Sequence, residues 1–162
     1  MFYDAIEKFI KLRYHFMPYI YSLAGAVHFE DYTIMRSLLF DFPEDREARK
    51  VENEFMFGPS LLICAVTEPM YYGPESTVLN REKTWECYLP AGTIWYDYWT
   101  NEKYEGGQYV TVEAPIDRIP VFVKAGSIIP CFEPMQYVGE IELDTLILDV
   151  YPGEDRLSLI HI

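Results

Sequence analysis

The chain has 162 residues, half of them apolar and 17% aromatic, enough for one domain or pieces of two and too apolar for disorder. Its net charge of −13, from 13 basic and 26 acidic residues, repels phosphate backbones and anionic lipid, so nucleic acid and membrane surfaces are excluded as partners. No run of 18 apolar residues offers a membrane span, and Met1-Phe2-Tyr3-Asp4 is no signal peptide. Cys64, Cys87 and Cys131 are an odd number without CxxC spacing, which argues against a disulfide framework or a zinc site; Cys64, inside an apolar run, reads as a small hydrophobe.

In chain order, residues 4–27 carry an apolar stripe of helical period (Ile6, Phe9, Ile10, Phe16, Met17, Ile20, Leu23). Asp4 suits the N-cap, and Pro18 should kink or divide this helix. Thr33–Phe42 reads as extended, stopped by Pro43, and charged Glu44–Glu54 as a surface turn or short helix. Ser60–Val66 is a nearly continuous apolar run, the pattern of a strand buried on both faces, as in a parallel sheet or barrel. The character changes over Pro69–Arg81, rich in Gly, Pro and Tyr. Beyond it come short β-like segments, Thr84–Leu89, Thr93–Tyr98, Gln108–Ala114, Ile119–Val123, Ser127–Pro130 and Ile141–Tyr151, spaced as in an antiparallel sandwich. Leu157–Ile162 matches a reading frame of a sequencing-adapter end and is expected to be a non-native tail, a native strand being the alternative.

The candidate chemistry is sparse. Asp41, Asp97 and Asp117 are the carboxylates nearest structured segments. Asp41 precedes Phe42-Pro43, a turn setting. Asp117, in Pro-Ile-Asp-Arg, suits a turn acid paired with Arg118 or with backbone N–H groups. Asp97, among Trp95, Tyr96, Tyr98 and Trp99, fits either a strand-end anchor or a sugar-binding acid. Arg36 sits in an apolar segment, where an unpaired charge would be costly; an ion pair with a carboxylate and a substrate contact are the alternatives. His15 and His28 lack metal-pair spacing and read as helix core or surface positions; His161 belongs to the doubtful tail. No metal cluster, phosphate loop or nucleophile elbow is legible.

Four ordered blocks resemble glycoside hydrolase family 31, the α-glucosidases and α-xylosidases. They are Leu12-Arg13-Tyr14-His15-Phe16-Met17-Pro18-Tyr19-Ile20-Tyr21-Ser22; Met35-Arg36-Ser37-Leu38 with Phe42-Pro43-Glu44-Asp45; Phe55-Met56-Phe57-Gly58-Pro59-Ser60-Leu61-Leu62; and Tyr88–Thr100 with Ala114–Pro130. The fine detail is similar to bacterial α-xylosidase-like members. The resemblance implies a mixed α and β chain. Residues 1–68 would be the last helix and strand units of a TIM (β/α)8 barrel, 69–83 a linker and 84–135 an antiparallel β-sandwich. Residues 136–156 would start a distal β-domain, and 157–162 are the tail.

It also implies a retaining α-glycosidase that hydrolyses terminal α-linked xylose or glucose from oligosaccharides through two aspartates. The family's nucleophile lies in a Trp-x-Asp-Met type motif that is absent here, since the tryptophans are Trp85, Trp95 and Trp99. No catalytic, substrate-binding or metal residue is therefore assigned, no cofactor is implied, and the partner is the α-linked oligosaccharide of the full-length enzyme. Alone, the chain is expected to be inactive and aggregation-prone, exposing Phe9, Phe16, Met17 and Ile20. The alternative is a non-enzymatic carbohydrate-binding β-sandwich with Trp95, Tyr98 and Trp99 as a stacking platform.

Overall fold

In the computed structural model, which describes residues 2–140, 142 and 144–153, the chain is mainly β with few helices. Two helices lead, α1 (Phe2–His15) and α2 (Met17–Glu30). Pro18 occupies the first turn of α2, where its missing N–H leaves no bond unmade, so the expected stripe is divided in two at Phe16. Asp4 lies in the first turn of α1 rather than at its cap. Strand β1 (Met35–Ser37) runs into a single turn, α3 (Leu38–Asp41), so only the first part of Thr33–Phe42 is extended. A 3-10 turn, Ala48–Lys50, follows, as the charged composition there suggested.

Strands β2 (Glu54–Phe57) and β3 (Leu61–Cys64) form a hairpin around Gly58. Then come β4 (Thr84–Leu89), β5 (Ile94–Asp97), β6 (Lys103–Glu105), β7 (Gln108–Glu113), β8 (Val121–Lys124), β9 (Ile128–Cys131) and β10 (Ile147–Val150). The main sheet has the order β1-β2-β3-β8-β5-β6, with β4–β7 and β9–β10 as separate ribbons. All of these pairs run antiparallel.

The continuous apolar run at Leu61–Cys64 therefore does not report a parallel barrel strand. It reports a central antiparallel strand covered on both faces. Leu62 and Cys64 join Met56, Trp95 and Phe122 in a core shared with Cys87, Tyr88 and Leu89 of β4. Leu61 and Ile63 point the other way, with Val121 and Val123, toward Phe16, Tyr19 and Leu23 of the helices and Ile129 and Cys131 of β9. Successive side chains alternate between two cores, so polarity never alternates. The main sheet also joins β1–β3 to β8, β5 and β6, so the segments on either side of residues 69–83 share one layer. Residues 157–162 lie outside the described residues.

Two of the side chains expected to look outward, Phe16 and Ile20, instead contact the sheet, while Phe9 lines an open groove beside Ile6 and Ile10. Phe16 is buried and stacks on Tyr98 with ring centroids 5.4 Å apart, and Ile20 packs on the same core. Exposed apolar groups lie instead at Phe2, Ile6, Ile10, Tyr21 and Phe29.

Candidate functional site

The three aspartates singled out from the sequence hold the fold, and each does so locally or across one contact. Asp97 ends β5 and is buried; its Oδ1 accepts the backbone N–H groups of Trp99 (2.7 Å) and Thr100 (2.9 Å), fixing the turn into β6. That is the strand-end anchor reading. Asp117 forms its ion pair with Lys8 Nζ of α1 at 2.8 Å, whereas Arg118 pairs with Glu113 at 3.9 Å. The Lys8 ammonium, by hydrogen bond and charge, lowers the Asp117 carboxyl below the usual range. The same ammonium lies 4.6 Å from the centroid of the Trp99 ring, so one cation ties α1 to two loops of the sheet.

Asp41 accepts from Arg36 Nε at 3.1 Å. Arg36 thus finds its carboxylate five residues away at the end of α3, while its guanidinium covers the rings of Tyr32 and Phe40. Each of these carboxylates is engaged by a cation or by backbone N–H groups. His28 is exposed on α2. His15 is different: its ring is part-buried, as described below.

The three-ring platform does not form. Trp95 is wholly buried and donates from Nε1 to Pro90 O at 2.9 Å. Tyr98 packs inward on Phe16, and Trp99 donates from Nε1 to Ile119 O at 2.8 Å. Alternation along β5 sends Trp95 into one core and Tyr96 into the other, and the Asp97 turn then rotates Trp99 away.

The quoted sequence blocks prove to be joints between layers. Tyr19, almost fully buried, donates to Phe57 O at 2.8 Å and accepts the Ser60 N–H at 3.3 Å, clamping α2 onto the β2–β3 turn. Gly58 within that turn has φ +64, and a Cβ there would collide with the Tyr19 hydroxyl and the Leu23 methyls. Asp45 takes N–H groups from Glu47, Ala48 and Ala91 and the hydroxyl of Tyr88, binding the 44–50 loop to the β4–β5 turn. Burial opposes its ionisation, but the Ala91, Tyr88, Ala48 and Glu47 donors outweigh it and lower its pKa.

Two constellations escaped the sequence reading. Glu54, Cys64 and Cys87 meet in the core between the main sheet and the β4–β7 ribbon, their ligand atoms within 4.8 Å of one another. Burial pushes the Glu54 carboxyl up to about 7, against the opposing hydrogen bond from Tyr88 N–H to Oε1 at 2.7 Å. Among the described residues its Oε2 has no hydrogen-bond partner. Glu54 and Cys64 are direct ladder partners, so the hairpin register was the signal that could have joined them.

The second group is His15, Cys131 and Asp149, again within 4.8 Å. His15 Nδ1 donates to Phe132 O at 2.6 Å, and Phe132 N–H donates back to His15 O at 2.9 Å. Burial, then the Asp149 charge, pushes the Cys131 thiol up to about 12. No local pattern links residues 15, 131 and 149; only the docking of α1 on the β9–β10 ribbon does.

The family profile described as the glycosyl hydrolase family 31 C-terminal domain matches residues 31–129. The chain belongs to glycosyl hydrolase family 31. It is similar to an α-xylosidase of Saccharolobus solfataricus, 40% identical over 152 residues, covering 94% of this chain and 19% of that protein. Among solved structures it resembles the family 31 α-xylosidase of Xanthomonas citri, with TM-score 0.83, 37% identity, and coverage of 93% of this chain and 15% of that one. It also resembles a family 31 dextranase of Flavobacterium johnsoniae complexed with isomaltotriose, with TM-score 0.74, 37% identity, and coverage of 89% and 16%. The chain therefore spans less than a fifth of the family 31 proteins it matches.

Proposed function

We propose that this chain is the C-terminal part of a retaining family 31 α-glycosidase that removes terminal α-linked xylose or glucose from oligosaccharides, and that it has no hydrolytic activity alone. In this reading α1 and α2 are the end of the catalytic (β/α)8 barrel. The antiparallel layers from about residue 31, where the family's C-terminal domain match begins, are the β-domain that buttresses it. Residues 69–83 link strands within that β-domain, and the segment from 136 leads into a distal β-domain. The catalytic aspartates and the sugar-selecting pocket belong to the preceding barrel.

The observation that carries the reading is the unburied apolar face of α1, where Phe2, Ile6 and Ile10 border an open groove also lined by Ile116. A helix this apolar on its outer side fits a surface that the rest of a barrel covers. The occupant is the preceding polypeptide of the same enzyme, in keeping with the small share of each relative that this chain spans. Dense internal use of Asp41, Asp97 and Asp117 leaves them for structure.

The purified chain, assayed with p-nitrophenyl α-xyloside and α-glucoside, is expected to give no turnover above buffer. Turnover abolished by Asp97→Asn or Asp117→Asn would sink the proposal.

A further inference from the structure

At the C-terminal end of α1 the sheet brings together three side chains that the glycosidase reading leaves unused. His15 offers a ring nitrogen, Cys131 its Sγ and Asp149 a carboxylate oxygen, all within 4.8 Å of one another. His15 Nε2 stands 3.9 Å from Asp149 Oδ2, and Cys131 Sγ stands 3.7 Å from the same oxygen. Tetrahedral zinc, with bonds of about 2.0–2.3 Å, sets its ligand atoms roughly 3.3–3.7 Å apart. The two spacings to Asp149 Oδ2 need only a few tenths of an ångström of closure, and the His15 and Cys131 ligand atoms lie within 4.8 Å of each other.

The supporting contacts also suit a metal. A carbonyl can only accept, so the 2.6 Å contact with Phe132 O puts the His15 proton on Nδ1 and leaves Nε2 as a lone pair 3.9 Å from Asp149 Oδ2. A ligating histidine is held in this way, its second nitrogen donating to a backbone carbonyl. The Phe132 N–H to His15 O bond fixes the same two segments from the other side. Cys131 is fully buried, whereas the side chains of His15 and Asp149 keep 21% and 35% of their exposure. An ion can reach the group from their side and retain a water there.

We propose that His15, Cys131 and Asp149 form a zinc-binding site, with water as the fourth ligand, that ties α1 to the β9–β10 ribbon. The nitrogen, sulfur and oxygen set selects a borderline cation, where calcium and magnesium would take oxygen alone. Binding strips the hydrated ion of all its waters but one and releases the Cys131 thiol proton to the buffer, with no change of oxidation state. Two of the ligands come from strands β9 and β10 and one from the helix, so the ion spans a joint that otherwise rests on the Phe16 and Ile129 packing and the Phe132 clamp.

The test uses cobalt(II) as a coloured stand-in for zinc, titrated into the chelator-treated 162-residue chain, with a thermal melt recorded for every variant as a check on folding. The expected result is one equivalent bound, with a thiolate-to-cobalt charge-transfer band and strong four-coordinate visible bands that zinc displaces. Cys131→Ser should abolish the charge-transfer band. His15→Gln, which leaves the buried sulfur in place, should weaken binding at least tenfold and remove the zinc-induced rise in melting temperature. The double variant Cys64→Ala/Cys87→Ala should bind as the parent does. Absence of binding at micromolar metal, undiminished affinity in His15→Gln, or loss of the band in the Cys64/Cys87 variant but not in Cys131→Ser would each overturn the site.

Discussion

The helical segment before residue 41 and the strands from residue 54 to residue 131 treat their apolar side chains in opposite ways. In the strands, large side chains such as Trp95, Leu62, Phe122 and Ile129 are wholly buried, because the main sheet is covered on both faces. In the helices, one side packs on that sheet through Phe16, Tyr19 and Leu23, while Phe2, Ile6, Ile10, Tyr21 and Phe29 face solvent. The β-region buries its large side chains on both faces of the main sheet, whereas the helical region buries them on one side only. In the proposed reading, the exposed helical side chains report a second interface, with polypeptide outside this chain.

The largest expected effect tests the completeness of the β-region. Trp95→Ala removes a buried indole and its bond to Pro90 O, and should cost about 3–5 kcal/mol. Urea unfolding followed by far-UV circular dichroism reads this as a lower midpoint at unchanged slope. A loss below about 1 kcal/mol would mean that the core between the main sheet and the β4–β7 ribbon is not the stabilising centre.

The second effect depends on pH and arises in the same core. Glu54 titrates at about 7 in the folded chain, from an ordinary value of 4.5, so between these values the folded state holds a proton that the unfolded state has released. Stability from this group is intact below about pH 4.5 and falls as pH rises to about 7, by roughly 3 kcal/mol in all. Glu54→Gln keeps an acceptor for Tyr88 N–H and removes the titration. The variant should match the parent near pH 4.5 and exceed it at pH 8, as measured by melts across that range.

The joint between the two regions gives a smaller effect. Gly58→Ala forces a Cβ at φ +64 against Tyr19 and Leu23, and should cost about 1–3 kcal/mol. Tyr19→Phe retains the ring but orphans Ser60 N–H, at about 1 kcal/mol, so the pair separates steric from hydrogen-bond losses in chemical denaturation.

What the sequence disclosed follows the same division. Strand β4 was legible to the residue, and β7 and β8 nearly so, because turn signals fence each one. The edge strand Lys103–Glu105 is too short to show a period. The direction of β3 was misread because burial on both faces looks the same for parallel and antiparallel neighbours. Leu38–Asp41 looked extended because a single helical turn is shorter than its own period. Asp97 was readable as an anchor since its partners lie two and three residues on; the partner of Asp117 lies 109 residues back, in α1. Contacts within a turn are written locally, whereas the groups around Glu54 and around His15 depend on which layers dock.

The smallest expected change in stability tests the other half of the comparison. Ile6 and Ile10 are 61% and 50% exposed, so Ile6→Gln with Ile10→Gln removes little that the folded chain buries and should shift its unfolding free energy by no more than about 0.5 kcal/mol. The same pair should act strongly on association. If the α1 face waits for the rest of a barrel, the parent chain self-associates through it at micromolar concentration, and the double variant shifts toward monomer in sedimentation-velocity analysis. Restoring the preceding polypeptide reverses the sign: in a full-length enzyme these two substitutions become core lesions and should lower the melting temperature markedly. A double variant that is silent in both settings would break the comparison, because the apolar face of α1 would then be ordinary exposed surface.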